Sequence, residues 1–173
     1  RLAALAVVTL IASLAPASYA GASFAGRNGL IVFERFYQEA NGPTFLWTMR
    51  LDGSDQRRLG IGESPRWSPD GQRIAFQRRL DDGTYVFIMN ADGTGERRLV
   101  RGSYPTWSPD GSRLSFNGDG GIVVRGLAAN ARSHVVATDG YAPDWGVNNR
   151  IAYVCLGSDY AANSCTVDRN CSA

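Results

Sequence analysis

Apolar residues along the chain fall into short runs that end at Gly, Pro, Asp or Asn. In the clearest stretch this pattern predicts four strands, over residues 64–68, 72–79, 84–90 and 95–100. The third of these strands is apolar at every position from Tyr85 to Met89, which is typical of a strand whose sheet is covered on both faces. The fourth strand is charged, as edge strands are when they avoid pairing with other chains. We therefore predict a four-stranded antiparallel sheet that lies between two neighbours.

A forty-residue repeat organises this pattern. Shifting the sequence by forty positions superposes the Trp-Ser-Pro-Asp-Gly segment at 67–71 on the same segment at 107–111, and a degenerate copy lies at Trp145. The repeat-defining residues are Trp67, Pro69, Asp70, Gly71, Trp107, Pro109, Asp110, Gly111 and Trp145. Ser-Pro-Asp-Gly suits a tight turn between strands, because Pro fixes one φ angle and Gly frees another. No window as long as a repeat lacks Gly or Pro, so the repeat unit is β and not a pair of helices.

Antiparallel sheets with two covered faces stack radially in a β-propeller. We predict an all-β propeller of four-stranded antiparallel blades, and the predicted blades occupy residues 28–60, 64–100, 104–137 and 142–173. These segments supply only about three and a half blades, fewer than the four to eight of a closed ring. Two explanations stay open: the chain is a fragment, to which the missing initiator Met points, or two arcs self-associate to close one ring.

The first twenty residues predict a secretory signal peptide. Residues 2–14 are mostly apolar, follow Arg1 and precede the small residues that end at Ala20. The apolar run is shorter than the roughly 20 residues that a spanning helix needs. A buried N-terminal helix is the alternative. We expect residues 21–173 to be the exported part, periplasmic or extracellular, with no membrane span after the signal is removed.

Charge and composition narrow the functional classes. The chain has 173 residues, of which 44% are hydrophobic and 20% are charged, and this is enough for one domain with a core. The net charge is +2 and the two signs are interspersed. A nucleic-acid partner is therefore not expected, because such proteins concentrate basic residues on one face.

The cysteines and the single histidine give little catalytic potential. Cys155 and Cys165 lie at equal distances from Tyr160, the middle of a predicted hairpin, so we predict a disulfide between them in an oxidising compartment. Three unpaired thiols are the alternative. Three cysteines and His134 match no zinc spacing, and no Gly-x-Ser-x-Gly elbow accompanies the histidine. We expect no catalytic residue, no cofactor and no metal site.

The repeat also resembles a known family. The pattern P-x-W-S-P-D-G-x-R-I-A-F, followed by Y-x-x-x-M-x-x-D-G-x-x-x-R-R-L, is similar to the WD40-like (PD40) repeat of TolB-type β-propellers. The resemblance extends from Leu30 to about Asp168. It departs from the family pattern in the turn at 146–149, which replaces Ser-Pro-Asp-Gly, and in 123–131, which lacks the Asp-Gly turn. The resemblance implies a six-bladed ring.

The resemblance also implies a function, namely a non-enzymatic exported scaffold that docks a partner protein in the bacterial envelope. The repeats differ most in the connections at 40–43, 81–83 and 158–163, where we expect a partner to dock. One alternative is that the arc is the gating propeller of a larger prolyl-oligopeptidase-type hydrolase. Another is a propeller lyase or lactonase with a channel metal, which needs several inward His, Asp or Glu residues.

The repeated tryptophans give the first testable prediction. Replacing Trp67 by Ala should lower the free energy of unfolding by about 3–5 kcal/mol, because a large buried ring leaves a cavity. Urea unfolding of the wild type, Trp67→Ala and Trp67→Phe measures this loss, with the Phe variant losing less. A loss below about 1 kcal/mol for the Ala variant would contradict burial at a blade junction.

Overall fold

A computed structural model of the chain describes residues 29–36 and 42–155, which form thirteen β-strands and no helix. The strands are β1 (Leu30–Arg35), β2 (Phe45–Arg50), β3 (Arg57–Ile61), β4 (Glu63–Trp67), β5 (Arg73–Leu80), β6 (Gly83–Asn90), β7 (Arg97–Arg101), β8 (Ser103–Trp107), β9 (Arg113–Gly118), β10 (Gly121–Gly126), β11 (Ser133–Ala137), β12 (Gly140–Trp145) and β13 (Ile151–Cys155). Among these described residues, no helical segment is long and apolar enough to cross a bilayer.

The strands form four antiparallel sheets in chain order. The first blade is β1–β3, the second is β4–β7, the third is β8–β11 and the fourth is β12–β13. In the second blade the observed strand ends differ from the predicted ones by at most two residues. The short turns explain this accuracy, because Pro, Asp and Gly leave little freedom in where each strand stops.

Strand β6 belongs to two cores at once. Its residues Phe87 and Met89 face the first blade, whereas Val86 and Ile88 face the third. The core between the first and second blades contains Val32, Leu46, Trp67, Ile74, Phe76, Phe87 and Met89. The core between the second and third contains Ala75, Val86, Ile88, Trp107, Leu114, Phe116 and Val123. Alternate side chains thus pack against opposite neighbours, which explains why 85–89 is apolar throughout.

The same division recurs one blade further along. Val123 of β10 packs toward the second blade, while Ile122 and Val124 pack toward the fourth, with Trp145 and Ile151. The predicted fold class is therefore confirmed: the chain forms an incomplete β-propeller of antiparallel blades that each cover their neighbours. The number of blades in a complete ring stays a prediction.

The third blade keeps its outermost strand although it lacks the Asp-Gly turn. Arg125 takes the place along β10 that Met89 has along β6, and its side chain is only 7% exposed. Its Nη2 donates a hydrogen bond to the carbonyl oxygen of Ala129 at 2.9 Å. A second backbone bond, from Ala131 N–H to Ala128, closes the loop. A buried guanidinium therefore holds the connection that a tight turn makes elsewhere.

Several sequence predictions lie outside the described residues. They are the signal peptide at 1–20, the connection at 158–163, Cys165 and the part of the last blade after Cys155. These predictions stay as they were stated.

A buried hydroxyl in the third blade gives a prediction about stability. Ser115 is fully buried, and its Oγ makes no hydrogen bond within the described residues. It lies forty residues after Ala75, which is buried at the equivalent place. Ser115→Ala should raise the free energy of unfolding by about 1 kcal/mol, because an unsatisfied buried polar group is removed.

The matched control is Ser108→Ala, measured by the same urea unfolding. Ser108 is equally buried, but its Oγ bonds Asp110 and both backbone groups of Arg113. This variant should lose about 1–3 kcal/mol. Equal losses in the two variants would show that the Ser115 hydroxyl is satisfied after all.

Candidate binding groove

The innermost strands β4, β8 and β12 line a groove of about 640 Å³ on the inner side of the arc. Its walls come from three equivalent segments, within residues 64–69, 104–109 and 142–147. Each segment contains a Pro-x-Trp sequence followed by a turn. Because these segments recur with the blade, the groove is a product of the repeat and not of one inserted loop.

A hydrogen bond from the preceding blade fixes each innermost strand in place. A residue near the start of the strand has a positive φ of 50–52°, and its N–H donates to a side-chain oxygen of the previous blade. The pairs are Ser64 with Glu34 (2.7 Å), Tyr104 with Gln77 (2.8 Å) and Ala142 with Asn117 (2.9 Å). A left-handed backbone costs about 1–2 kcal/mol for non-glycine residues, so this inter-blade clamp helps to hold it.

Sequence reasoning missed this clamp, although the signal is visible in the repeat. Each acceptor directly follows the phenylalanine of the second strand, at Phe33, Phe76 and Phe116. In the fourth blade Tyr153 has the phenylalanine position, and Val154 follows it. Val154 has no side-chain oxygen and is 58% exposed, so the fourth blade does not carry the clamp forward.

The three repeat tryptophans form the rigid wall of the groove. Trp67, Trp107 and Trp145 are 4–6% exposed. The Nε1–H of Trp107 donates to the carbonyl oxygen of Arg66 in the preceding blade at 3.0 Å. Arginines of the preceding blades cover two of the rings, with Arg73 at 4.9 Å from the ring centre of Trp107 and Arg113 at 5.1 Å from that of Trp145. These indoles join adjacent blades and leave only an edge to line the groove.

One position in the groove differs in charge from blade to blade. Between the Pro and the Trp of each segment lies Arg66 in β4, Thr106 in β8 and Asp144 in β12. Thr106 is buried, and its Oγ1 accepts the N–H of Trp145 at 3.5 Å. Arg66 is half-buried and Asp144 is exposed. The groove therefore has a cationic group at one end and an anionic group at the other.

A pair of tyrosines lies beside the groove. The rings of Tyr104 and Tyr141 meet edge to face with their centres 4.9 Å apart. The hydrogen bond with Tyr104, together with burial, raises the pKa of Tyr141 to about 12. This phenol therefore stays neutral at physiological pH and can donate or accept a hydrogen bond but cannot serve as a base there.

The Ser-Pro-Asp-Gly turns at the end of the groove are closed by a serine–aspartate pair. In the second blade, Ser68 Oγ donates to Asp70 Oδ1 at 2.5 Å and accepts the N–H of Arg73 at 2.9 Å. Burial opposes the charge of Asp70, but hydrogen bonds from Ser68 and from the N–H of Gln72 still hold its pKa below the ordinary value of 3.8.

The third blade repeats this turn with a further hydrogen bond. Asp110 accepts hydrogen bonds from the hydroxyl of Ser108 and from both the N–H and the hydroxyl of Ser112. These bonds lower the pKa of Asp110 to about 2. Both turns thus keep ionised carboxylates for a structural purpose, to close the hairpin.

The groove does not coincide with the connections that the sequence singled out. Asp81–Gly83 lies beyond the far end of β5, roughly 25 Å from the Ser-Pro-Asp-Gly turn at about 3.3 Å per residue. Of 40–43, only Gly42 and Pro43 are described, and 158–163 lies outside the described residues. The prediction that these connections carry a partner is not tested by their positions.

The remaining candidates occupy positions outside the groove. His134 lies exposed on β11, the outermost strand of the third blade. Cys155 ends β13 and is disulfide-bonded, but Cys165 lies outside the described residues, so the pairing of these two stays a prediction. Within 29–36 and 42–155, no three His, Cys, Asp or Glu side chains come together in a group that could hold a metal ion.

Comparisons with known proteins support the architecture but only at the level of fold. No protein-family model matches the chain, and no curated protein matches its sequence. Solved structures do match, among them TolB from Acinetobacter baumannii with a TM-score of 0.64 and 17% identity over 75% of this chain and 36% of that one.

Two matches are propellers of enzymes. The β-propeller domain of the Trilobed protease from Pyrococcus furiosus has a TM-score of 0.54 and 16% identity over 66% of this chain and 41% of that one. An oligogalacturonate lyase in complex with manganese has a TM-score of 0.57 and 15% identity over 73% of this chain and 42% of that one. The chain spans less than half the length of each of these three proteins.

Strand order, radial cores and these matches together define an incomplete β-propeller. Within that class, the chain has the fold of a TolB-type β-propeller. The forty-residue resemblance that predicted this fold is thereby confirmed. Since enzymes share the same blades, the fold alone assigns no activity.

The serine–aspartate turns predict a specific response to acid. The pKa of Asp110 is lowered from 3.8 to about 2, so its contribution to stability is complete above the unfolded value and is lost as the pH falls toward 2. Asp110→Asn should therefore be less stable than the wild type at pH 7, and its stability should fall less between pH 4 and pH 2.

Denaturant midpoints at pH 7, 4, 3 and 2 measure this dependence. Asp119→Asn, at the exposed tip of the β9–β10 turn, serves as the control and should keep the wild-type profile. If Asp110→Asn has the wild-type slope below pH 4, the hydrogen bonds to Asp110 do not stabilise its charge.

Proposed function

We propose that the chain is part of an exported, non-enzymatic β-propeller that binds another protein of the bacterial envelope through the groove of β4, β8 and β12. The observation that carries this proposal is the groove itself, a preformed concave surface of about 640 Å³ built by equivalent segments of three blades. Binding sites are commonly concave and largely preformed, with a few placed polar groups. The TolB-type fold and the predicted signal peptide support the envelope as the location.

The chemistry of the walls favours a protein segment as the ligand. Pro65, Pro105 and Pro143 recur in the innermost strands and are buried beside the tryptophans. Arg66 and Asp144 add one charge of each sign, which suits an extended segment that carries complementary charges. Opposite charges across an interface determine orientation and partner choice more than total affinity.

Two enzymatic alternatives keep specific support from the fold matches. A protease propeller resembles the chain, so a gating role in a larger hydrolase is one. A manganese-bound lyase propeller resembles it too, but among the described residues no group of three metal-binding side chains forms. A Gly-x-Ser-x-Gly segment in the gene beyond Ala173 would favour the hydrolase over the scaffold.

The proposal is tested by photo-crosslinking from defined positions. A photoreactive amino acid at Asp144 or Val147, both exposed beside the groove, should yield one discrete heavier species in envelope extract. The same residue at Arg98, exposed on the outer strand β7, is the matched control and should yield none. Equal products from the groove and the control, or none from either, would contradict a groove-bound partner.

Charge reversal then tests whether the groove selects its partner. Arg66→Glu removes the cationic end and places a like charge against an acidic partner residue. We expect the crosslinked yield at Val147 to fall about tenfold, which corresponds to about 1.4 kcal/mol. Arg98→Glu, the control on the outer strand, should leave the yield unchanged.

A further inference from the structure

The outer rim of the arc consists of three equivalent strands, β3, β7 and β11. Within the described residues each pairs with only one neighbour, so its other edge offers unpaired backbone groups. Such an edge is a template for strand addition, and proteins protect it with charge, Pro or bulges. All three strands contain a one-residue bulge in the same place, at Leu59, Leu99 and Val136. The bulge therefore does not distinguish one edge from another.

Charge does distinguish them. Strand β3 begins with Arg57 and Arg58, and β7 begins with Arg97 and Arg98, all exposed. A second copy of either strand would bring like charges together, which is unfavourable across a strand pair. Strand β11 reads Ser133-His134-Val135-Val136-Ala137 and contains no Arg, Asp or Glu. The third blade thus lacks the protection that its two neighbours have.

An exposed valine marks the centre of this unprotected edge. Val135 lies opposite Val123 of β10, on the face of the sheet toward the second blade. Unlike Val123, it is 51% exposed. Burying this side chain would remove apolar surface from water, which favours association.

The flanking charges indicate what kind of strand fits. Arg132 precedes β11 and Asp139 follows it, both are exposed, and neither forms an ion pair within the described residues. An antiparallel copy of the same segment brings the Arg132 end of one chain to the Asp139 end of the other. The edge is therefore complementary to itself in charge, direction and apolar centre.

We propose that β11 pairs antiparallel with β11 of a second copy of this chain, with the two Val135 side chains opposite each other. The two third blades then join into one eight-stranded sheet. This association differs from the closure of a ring by two arcs, because it uses the outer rim and not the faces of the end blades. The groove lies on the inner strands β4, β8 and β12 and stays open, so the proposal does not depend on the proposed function.

The interface is small, because five residues on each side pair. Specific interfaces of this size lie below the usual 1,200–2,000 Å², so we expect a dimer that forms with increasing concentration. Sedimentation velocity of the full chain should show a shift from monomer to dimer as the concentration rises from about 1 to 200 μM, a range typical of weak association.

Val135→Arg tests the edge by giving β11 the charge that β7 has. This variant should weaken dimerisation at least tenfold, while Val147→Arg, at a residue that is 97% exposed in a turn, should dimerise like the wild type. Circular dichroism and the urea midpoint of each variant establish that it folds. A wild type that stays monomeric throughout, or a dimer that Val135→Arg leaves intact, would overturn the proposal.

Cysteine trapping tests the register directly. In the proposed pairing the two Val135 Cα atoms lie about 4.5–5.5 Å apart, within disulfide range, so Val135→Cys should form a covalent dimer on mild oxidation. His134→Cys is the matched control, because the two His134 residues lie on the opposite face and about 8 Å apart, beyond that range. Peptide mapping distinguishes the new bond from those of the native cysteines. Trapping through position 134 alone, or only with a different protein, would refute the self-paired edge.

Discussion

The structure depends on one constraint: a blade is stable only when both faces of its sheet are covered. Strand β6 shows this most clearly, because Phe87 and Met89 complete one core while Val86 and Ile88 complete the next. Removing either neighbour would expose half of these side chains to water. Stability in this fold is therefore shared between adjacent blades, as in other repeat proteins whose units contact only their neighbours.

The same constraint separates the positions that hold the ring together from those that are free to differ. The tryptophans and the inter-blade clamps of Glu34, Gln77 and Asn117 join each innermost strand to the blade before it. Once these contacts hold the strand, the residue between Pro and Trp can be Arg66 or Asp144 without changing the backbone. A propeller can thus alter the charge of its groove while it keeps its geometry.

The strands and the blade cores could be predicted from sequence because their signals are local and repeat. The groove could not, because it requires segments forty and eighty residues apart to lie side by side. Arg125 shows a second limit. Its position in β10 predicts a buried apolar residue by analogy with Met89, yet its guanidinium bonds the loop after it, a contact that depends on how that loop returns. The clamp residues were predictable in principle, since each follows a phenylalanine at equal spacing, but their partners lie one blade away.

The sequence by itself determined that the chain is β, that its unit is forty residues long, and where the second blade begins and ends. These properties follow from side-chain alternation and turn chemistry, which act over a few residues. Only the tertiary structure decided which repeated residues meet across blades, where the groove opens, and which rim strand lacks protection. Those properties depend on burial and distance between segments far apart in the chain, and no local pattern contains that information.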